Sequence, residues 1–301
     1  MAPSEESRAL SKLFALIKEK SPSDPYLARV LYDQVHTVAT EARGVSYESV
    51  TVSGRPGIWI LPAEASSKHV ILFMHGGGYT MGSPWGHRKL AAHLAKEAKC
   101  VALSIDYRKT PEHPYPAPLD DCVAAYEWLL AQNFPAGNIV TAGDSCGGGL
   151  ATTVILAAVK KGLPMPAAAV ALSPWYDKGL SGASMTSNAE VDVLAAPGAM
   201  DTLVSRYTGG KADIKDPLIS PIYADLKGLP PHWISCGGDD TLRDQGVEFA
   251  EKAKKAGVEV VLRVAEGQQH VFEFMVGNAP ESTESVANIG KWIQEKIGSG
   301  A

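Results

Sequence analysis

Long apolar runs, basic clusters and paired cysteines are all missing from this 301-residue chain, and each absence closes off a class of function. A membrane helix needs about 20 consecutive apolar residues. The best stretch here, Leu150 to Val159, is about half of that and runs into Lys160 and Lys161, so no membrane span is expected. The formal net charge is −5 with no basic run, which argues against nucleic acid as a partner. Four cysteines occur, Cys100, Cys122, Cys146 and Cys236, with no Cys-x-x-Cys among them. A disulfide framework or a zinc site is therefore not expected, and free thiols point to a reducing, cytoplasmic compartment. Met1 to Lys20 lacks the charged, apolar and small-residue layout of a secretion signal and reads as a helix of the mature protein. Repeats and low-complexity tracts are absent as well.

What is present is an ordinary globular composition, 45% hydrophobic and 20% charged, in a chain long enough to bury a large core. Residues 4–40 read as helical, with a break at Ser21-Pro22-Ser23-Asp24-Pro25, where two prolines and a capping residue restart the helix. Val45 to Val52 alternates, and a turn at Ser53 to Gly57 joins it to Gly57 to Leu61 as a hairpin. Val70 to Met74 is a continuous apolar run, as suits a strand buried on both faces. Cys100 to Ile105 and Asn138 to Ala142 read as buried strands too, and further strands are expected at Ala167 to Leu172, His232 to Cys236 and Val258 to Val264. Helical patterns separate them at His87 to Ala98, Leu119 to Ala131, Leu150 to Lys161 and Arg243 to Ala256, and Ser282 to Ile297 closes the chain. This alternation predicts an α/β fold with a mostly parallel, doubly wound sheet. From Trp175 to Ala224 the periodicity fades, with one helix candidate at Pro197 to Tyr207. The expected layout is N-terminal cap helices at 1–44, core at 45–174, a cap insert at 175–224 and core again at 225–301. Both cap pieces would lie over the strand ends where α/β folds bind ligands.

The chemistry concentrates at Gly143-Asp144-Ser145-Cys146-Gly147. Gly-x-Ser-x-Gly between a strand and a helix fits a nucleophile elbow, a sharp turn with serine at its tip. Small residues recur by chance, so the pattern gains weight only with partners. A serine hydroxyl needs a base, an acid to orient that base, and donors for the oxyanion it creates. Of eight histidines, His36, His69, His87, His93, His113 and His232 have ordinary packing or solvated contexts. His75 opens a glycine run. His270 lies in the loop after the last strand, the position of the base when serine, acid and histidine follow in that chain order. Asp239 and Asp240 both lie in the loop after His232 to Cys236, where the acid belongs; Asp244 reads as a helix cap. His75-Gly76-Gly77-Gly78 has the pattern of an oxyanion loop. Gly76, Gly77 and Cys146, the residue after the nucleophile, are the expected donors. A phosphate cradle is the rival reading of three glycines, but neither Gly-Lys-Ser/Thr nor G-x-G-x-x-G is present. Tyr79, Trp85, Trp175, Tyr176 and Phe272 are candidates for lining a substrate pocket, with plain core packing as the alternative for each.

Residues 70–295 resemble the hormone-sensitive-lipase family of α/β-hydrolases, the bacterial family IV esterases and their fungal relatives. His75-Gly76-Gly77-Gly78-Tyr79 matches its HGGG(F/Y) loop. Asp106-Tyr107-Arg108 with Pro111 to Pro116 matches DYRLAPEHPFP, Lys109 and Thr110 replacing Leu-Ala. Gly143 to Gly148 matches GDSAGG with Cys146 in place of alanine. Residues 216–221 and 224–231 resemble the family's return from cap to core, and His270-Val271-Phe272 matches H-x-F. Its E-Y-D-P-L-R-D pattern lies on Gly238 to Asp244 and brings the catalytic aspartate onto Asp240, with Thr241 where the family has proline; Asp239 is the runner-up. The resemblance implies an α/β-hydrolase fold, no cofactor, and hydrolysis of short- to medium-chain carboxylic esters by Ser145, Asp240 and His270. It also implies homodimers through the last strand and helix as a common assembly, and a structural role for Asp106, Arg108 and Glu112. A lactonase or amidase on the same triad is the nearest alternative. A non-catalytic small-molecule receptor, as the plant gibberellin receptor resembles this family, is an alternative of another class.

Overall fold

The computed structural model describes residues 3–20, 24–35, 38–194 and 197–297. His36 and the first three residues of the expected helix break, Ser21-Pro22-Ser23, lie outside the described residues. Eight strands form one sheet in the order β1-β2-β4-β3-β5-β6-β7-β8. Here β1 is Val45–Val52, β2 Arg55–Pro62, β3 Ser66–Met74 and β4 Cys100–Ile105; β5 is Ile139–Asp144, β6 Ala168–Leu172, β7 His232–Gly237 and β8 Val260–Ala265. Strands β1 and β2 pair antiparallel, as do β2 and β4, and every other pairing is parallel. The hairpin turns on Ser53 and Gly54 at φ 48° and 81°, the left-handed pair that matches strand twist in a two-residue loop.

Alternation within a buried strand sends neighbouring side chains to opposite layers. Ile71 and Phe73 pack with residues of α3 (Pro84–Glu97) and α9 (Pro280–Lys296), such as Leu90, Ile289 and Ile293. Val70, Leu72 and Met74 pack with residues of α4 (Ala117–Ala131) and α5 (Cys146–Lys161), such as Val123, Leu150 and Val154. Strands β4 to β7 are buried along their whole length, whereas β8 is half-exposed at the sheet edge. Helix α8 (Arg243–Lys255) fills a third apolar cluster through Phe249, Ala250 and Ala253.

Outside the sheet and the helices already named are α1 (Glu5–Lys20), α2 (Pro25–Val35) and the segment between β6 and β7, with α6 (Ser184–Ser187) and α7 (Pro197–Thr208). Asp24 Oδ1 accepts the N–H groups of Tyr26 and Leu27 and so caps α2 as the sequence suggests. Arg29 of α2 donates to the carbonyls of Thr80 and Thr110 and grips Glu112 at 2.7 Å. Arg108 pairs with Asp121 at 2.7 Å, and Lys109 with Asp106. The charged motif therefore braces loops. Residues 38–40, expected in a helix, are not in an α-helix, and α5 begins earlier than its composition suggests, directly after Ser145. Three consecutive glycines disfavour a helix by roughly 1 kcal/mol each. Here they admit the close approach of neighbouring backbone that fixes the turn.

Candidate active site

Strand β5 lies between β3 and β6, so its end projects into the middle of the crevice. Ser145 sits there at φ 56°, ψ −121°, a left-handed backbone that costs a non-glycine residue about 1–3 kcal/mol and is tolerated where surrounding structure imposes it. That structure is visible in hydrogen bonds. The Ser145 N–H donates to Leu172 O at the end of β6, and its carbonyl accepts from Trp175 and Gly149. Gly147 has no room for a side chain, since a Cβ there would collide with the carbonyls of Met74 and His75 at the end of β3. Elbow and glycine loop are thus packed backbone against backbone.

The loop after β3 is held by Asp144. Its Oδ1 accepts the Gly76 N–H at 3.0 Å, and its Oδ2 lies 3.5 Å from Nε2 of the buried His87. Gly76, expected to donate to an oxyanion, therefore spends its N–H inside the fold. Gly77 and Gly78 follow at φ 108° and 61° and line the same pocket as Ser145. Among the described residues, no acceptor pairs with the N–H of Gly77, Gly78 or Cys146. Cys146 contributes more than its backbone, because its buried Sγ accepts the Tyr79 N–H at 3.2 Å. Burial pushes that thiol up to about 11, so it is no nucleophile at neutral pH. His75 is stacked on Tyr107 with centroids 4.2 Å apart; burial drives its imidazole well below the usual range, and Nδ1 is within 2.8 Å of Gly76 O.

The loops after β7 and β8 bring the other two groups together. Nδ1 of His270 lies 3.0 Å from Oδ1 of Asp240, at ion-pair distance rather than in an aligned hydrogen bond; such contacts often tighten only when substrate is bound. It is Asp240, not Asp239, that meets the histidine, and its Oδ1 also accepts the Leu242 N–H at 2.8 Å. Burial alone would lower the His270 pKa, but the charge and contact of Asp240, with the charges of Asp192 and Asp144, raise it to about 9. Val271 beside it takes φ 50° and donates its N–H to Ser173 Oγ, an uncommon conformation for a β-branched residue that marks a constrained loop.

Ser145 and His270 face one pocket of about 60 Å³, walled by Tyr32 of α2, Met81, Trp175, Leu194, and Met200 and Leu203 of α7. Of the aromatic candidates, only Trp175 is among these lining residues. Tyr79 is buried against Trp175 and stacked on Tyr207 at 3.7 Å. Tyr176 belongs to the core beside Phe249, its hydroxyl near Thr152, and Phe272 is buried in the turn after His270. Trp85 is 48% exposed and lines a separate groove against β1 and β2. Those placements leave Tyr79, Trp85, Tyr176 and Phe272 outside the pocket lining. The walls from α2 and α7 were foreshadowed only by the position of the two cap pieces, since nothing in their composition marks which side chains face inward.

Residues 71–274 match the model of the alpha/beta hydrolase fold family. The chain belongs to the hormone-sensitive-lipase group of α/β-hydrolases. It is 35% identical over 272 residues to an acetyl-hydrolase of Streptomyces hygroscopicus, covering 90% of each chain. It is 31% identical over 268 residues to an esterase of Acinetobacter venetianus, covering 89% of this chain and 88% of that one. A solved esterase of the bacterial hormone-sensitive lipase family superposes with a TM-score of 0.95 at 37% identity, over 99% of this chain and 100% of the other. Within such a hydrolase, departures from the family pattern gain meaning: Cys146 supplies an acceptor that alanine lacks, and Thr241 supplies donors that proline lacks. No helix among the described residues is long and apolar enough to cross a membrane.

Proposed function

We propose that this α/β-hydrolase cleaves carboxylic esters with short to medium acyl chains through an acyl-enzyme on Ser145. The observation that carries the reading is the meeting of Ser145 and His270 in one pocket with Asp240 behind the histidine. Ser145 Oγ attacks the ester carbonyl while Nε2 of His270 takes its proton. The carbonyl oxygen becomes an oxyanion held by the N–H groups of Gly77, Gly78 and Cys146. The last of these opens α5, whose dipole favours negative charge. Each such donor contributes about 100- to 1000-fold in rate. Collapse expels the alkoxide, which receives the proton from His270; water, deprotonated by the same histidine, then releases the acid and frees Ser145. Asp240 orients the ring and stabilises its cation without taking the proton. No step calls on a cofactor. The small pocket beneath Met200 and Leu203 favours short acyl groups.

Residues 1–44 and 175–224 act as the cap in this reading. The setting is cytoplasmic, consistent with four free, buried thiols. A homodimer formed through the β8 edge and α9 completes the picture, and sedimentation analysis tests it. The experiment that decides the chemistry is hydrolysis of p-nitrophenyl acetate, butyrate and longer esters by wild type, Ser145→Ala and His270→Ala. Wild type is expected to prefer the shorter esters and both variants to lose at least about 1000-fold in kcat. Full activity in Ser145→Ala overturns the assignment, and tight ligand binding without turnover across an ester panel favours the receptor instead. Lactone and amide substrates in the same screen separate the remaining alternatives.

A further inference from the structure

Residues 188–194, in the stretch between β6 and β7, are stitched to both loops that carry the acid and the base. Asn188 Nδ2 donates to Gly238 O at 3.0 Å and Asp240 O at 2.9 Å. The Gln269 side chain accepts the Val193 N–H and donates to Val191 O. Between these lies Asp192, only 1% exposed. Its Oδ2 accepts both the N–H of Thr241 at 2.7 Å and the Thr241 hydroxyl at 2.9 Å. Its Oδ1 accepts the N–H of Leu194, a wall of the pocket. Proline at 241 would offer neither of the first two donors.

From this geometry we infer that Asp192 is a positioning residue for the acid–base pair, fixing the backbone directly after Asp240 and placing a second negative charge beside His270. The inference rests on the triad reading above. A carboxylate that holds the peptide after Asp240 sets where that acid meets the imidazole, and one that also holds Leu194 ties this alignment to the pocket wall. The charged groups that face His270 are Asp240 from the loop after β7, Asp192 from the insert and Asp144 from the end of β5, all three raising its pKa against burial. Facing Asp192 in turn is Asp239, whose own carboxyl is pushed up by burial first and by Asp192 second, with Arg243 acting in the opposite sense.

The test compares pH profiles of kcat/KM and separate kcat and KM values for wild type, Asp192→Asn and Thr241→Val on p-nitrophenyl acetate. A base must be neutral to act, so activity rises with pH as His270 loses its proton. Removing the Asp192 charge is expected to move that rising limb to lower pH by about half a unit or more. It should also lower kcat on the order of tenfold through misalignment, with KM changing less. Thr241→Val keeps the charge and the N–H but deletes the hydroxyl, so kcat should fall a few-fold with the limb unmoved. A folded Asp192→Asn with the wild-type limb and kcat overturns the inference. Should that variant fail to fold, an unchanged kcat in Thr241→Val overturns it instead. His270→Ala, run alongside, separates the two claims: full activity there defeats the triad reading, whereas an inactive His270→Ala beside an unaffected Asp192→Asn defeats only the role of Asp192.

Discussion

The two halves of the proposed active site, the nucleophile half and the acid–base half, are built by different means. The nucleophile half is held by backbone: the strained Ser145, its N–H on Leu172 O, and a glycine packed against the carbonyls that end β3. The acid–base half is held by side chains reaching from the insert, Asn188 and Asp192 onto the Asp240 loop, with Gln269 of the His270 loop reaching back to the insert. Backbone packing leaves no intermediate states, because a collision with a carbonyl cannot be eased by a rotamer change. A network of side-chain hydrogen bonds can be thinned one bond at a time. Substitutions in the first half should therefore act abruptly, and those in the second half by degrees.

Gly147→Ala should show the largest effect. The added Cβ would collide with backbone from Met74 and His75, so folded protein is expected to be scarce, and any that folds should have lost at least about 100-fold in kcat. Soluble yield and the rate of the folded fraction are the readouts; a well-folded, fully active variant breaks the comparison. Asn188→Ala is the graded counterpart. It removes two donors from carbonyls without blocking water from replacing them, so kcat should fall about three- to tenfold and Tm by a few degrees. An abrupt loss of folding there, of the kind expected for Gly147→Ala, would erase the contrast between the halves.

The smallest effect belongs to Lys178, which lies beneath the nucleophile half. Its buried Nζ donates to Trp175 O at 2.7 Å and lies 5.0–5.9 Å from the ring centres of Trp175, Tyr79 and Tyr207. Burial lowers its pKa from 10.5 to about 7, with the neighbouring Cys146 and Asp177 acting in the opposite sense. The unfolded chain holds that proton up to about pH 10.5 while the native one releases it near 7. The unfolded state thus binds more protons between those values, and stability rises with pH across that window. The penalty is at full size below about pH 7. Lys178→Met should consequently raise Tm by more at pH 6 than at pH 9 when both are measured by thermal denaturation. An equal change at the two pH values contradicts the sign.

The contrast between the halves also explains how far the site could be read from residues alone. Strand runs such as Cys100 to Ile105 coincide with the observed strand, because continuous burial leaves a continuous apolar signature. Ser145 and His270 could be singled out as candidates because an elbow and a loop after the last strand are local features with local residue requirements. The Gly76 N–H, an expected oxyanion donor, is taken up instead by Asp144, 68 positions away in the chain, a contact that no local pattern announces. Asp192, Asn188, Leu194 and Leu203 carried no signal at all: they come from a stretch without periodicity, and only tertiary packing decides which way they face. Trp85 was misplaced for the related reason that an aromatic residue near a glycine loop in sequence can still point along the outer face of α3.

The central claim is that Ser145 is the nucleophile and that His270 and Asp240 activate it. Incubation with a p-nitrophenyl alkylphosphonate followed by peptide mass spectrometry tests it most directly. One phosphonyl adduct per chain is expected, on the peptide containing Ser145, absent in Ser145→Ala and formed far more slowly in His270→Ala. Stoichiometric labelling at another residue, or inactivation that leaves Ser145 unmodified, would contradict the account.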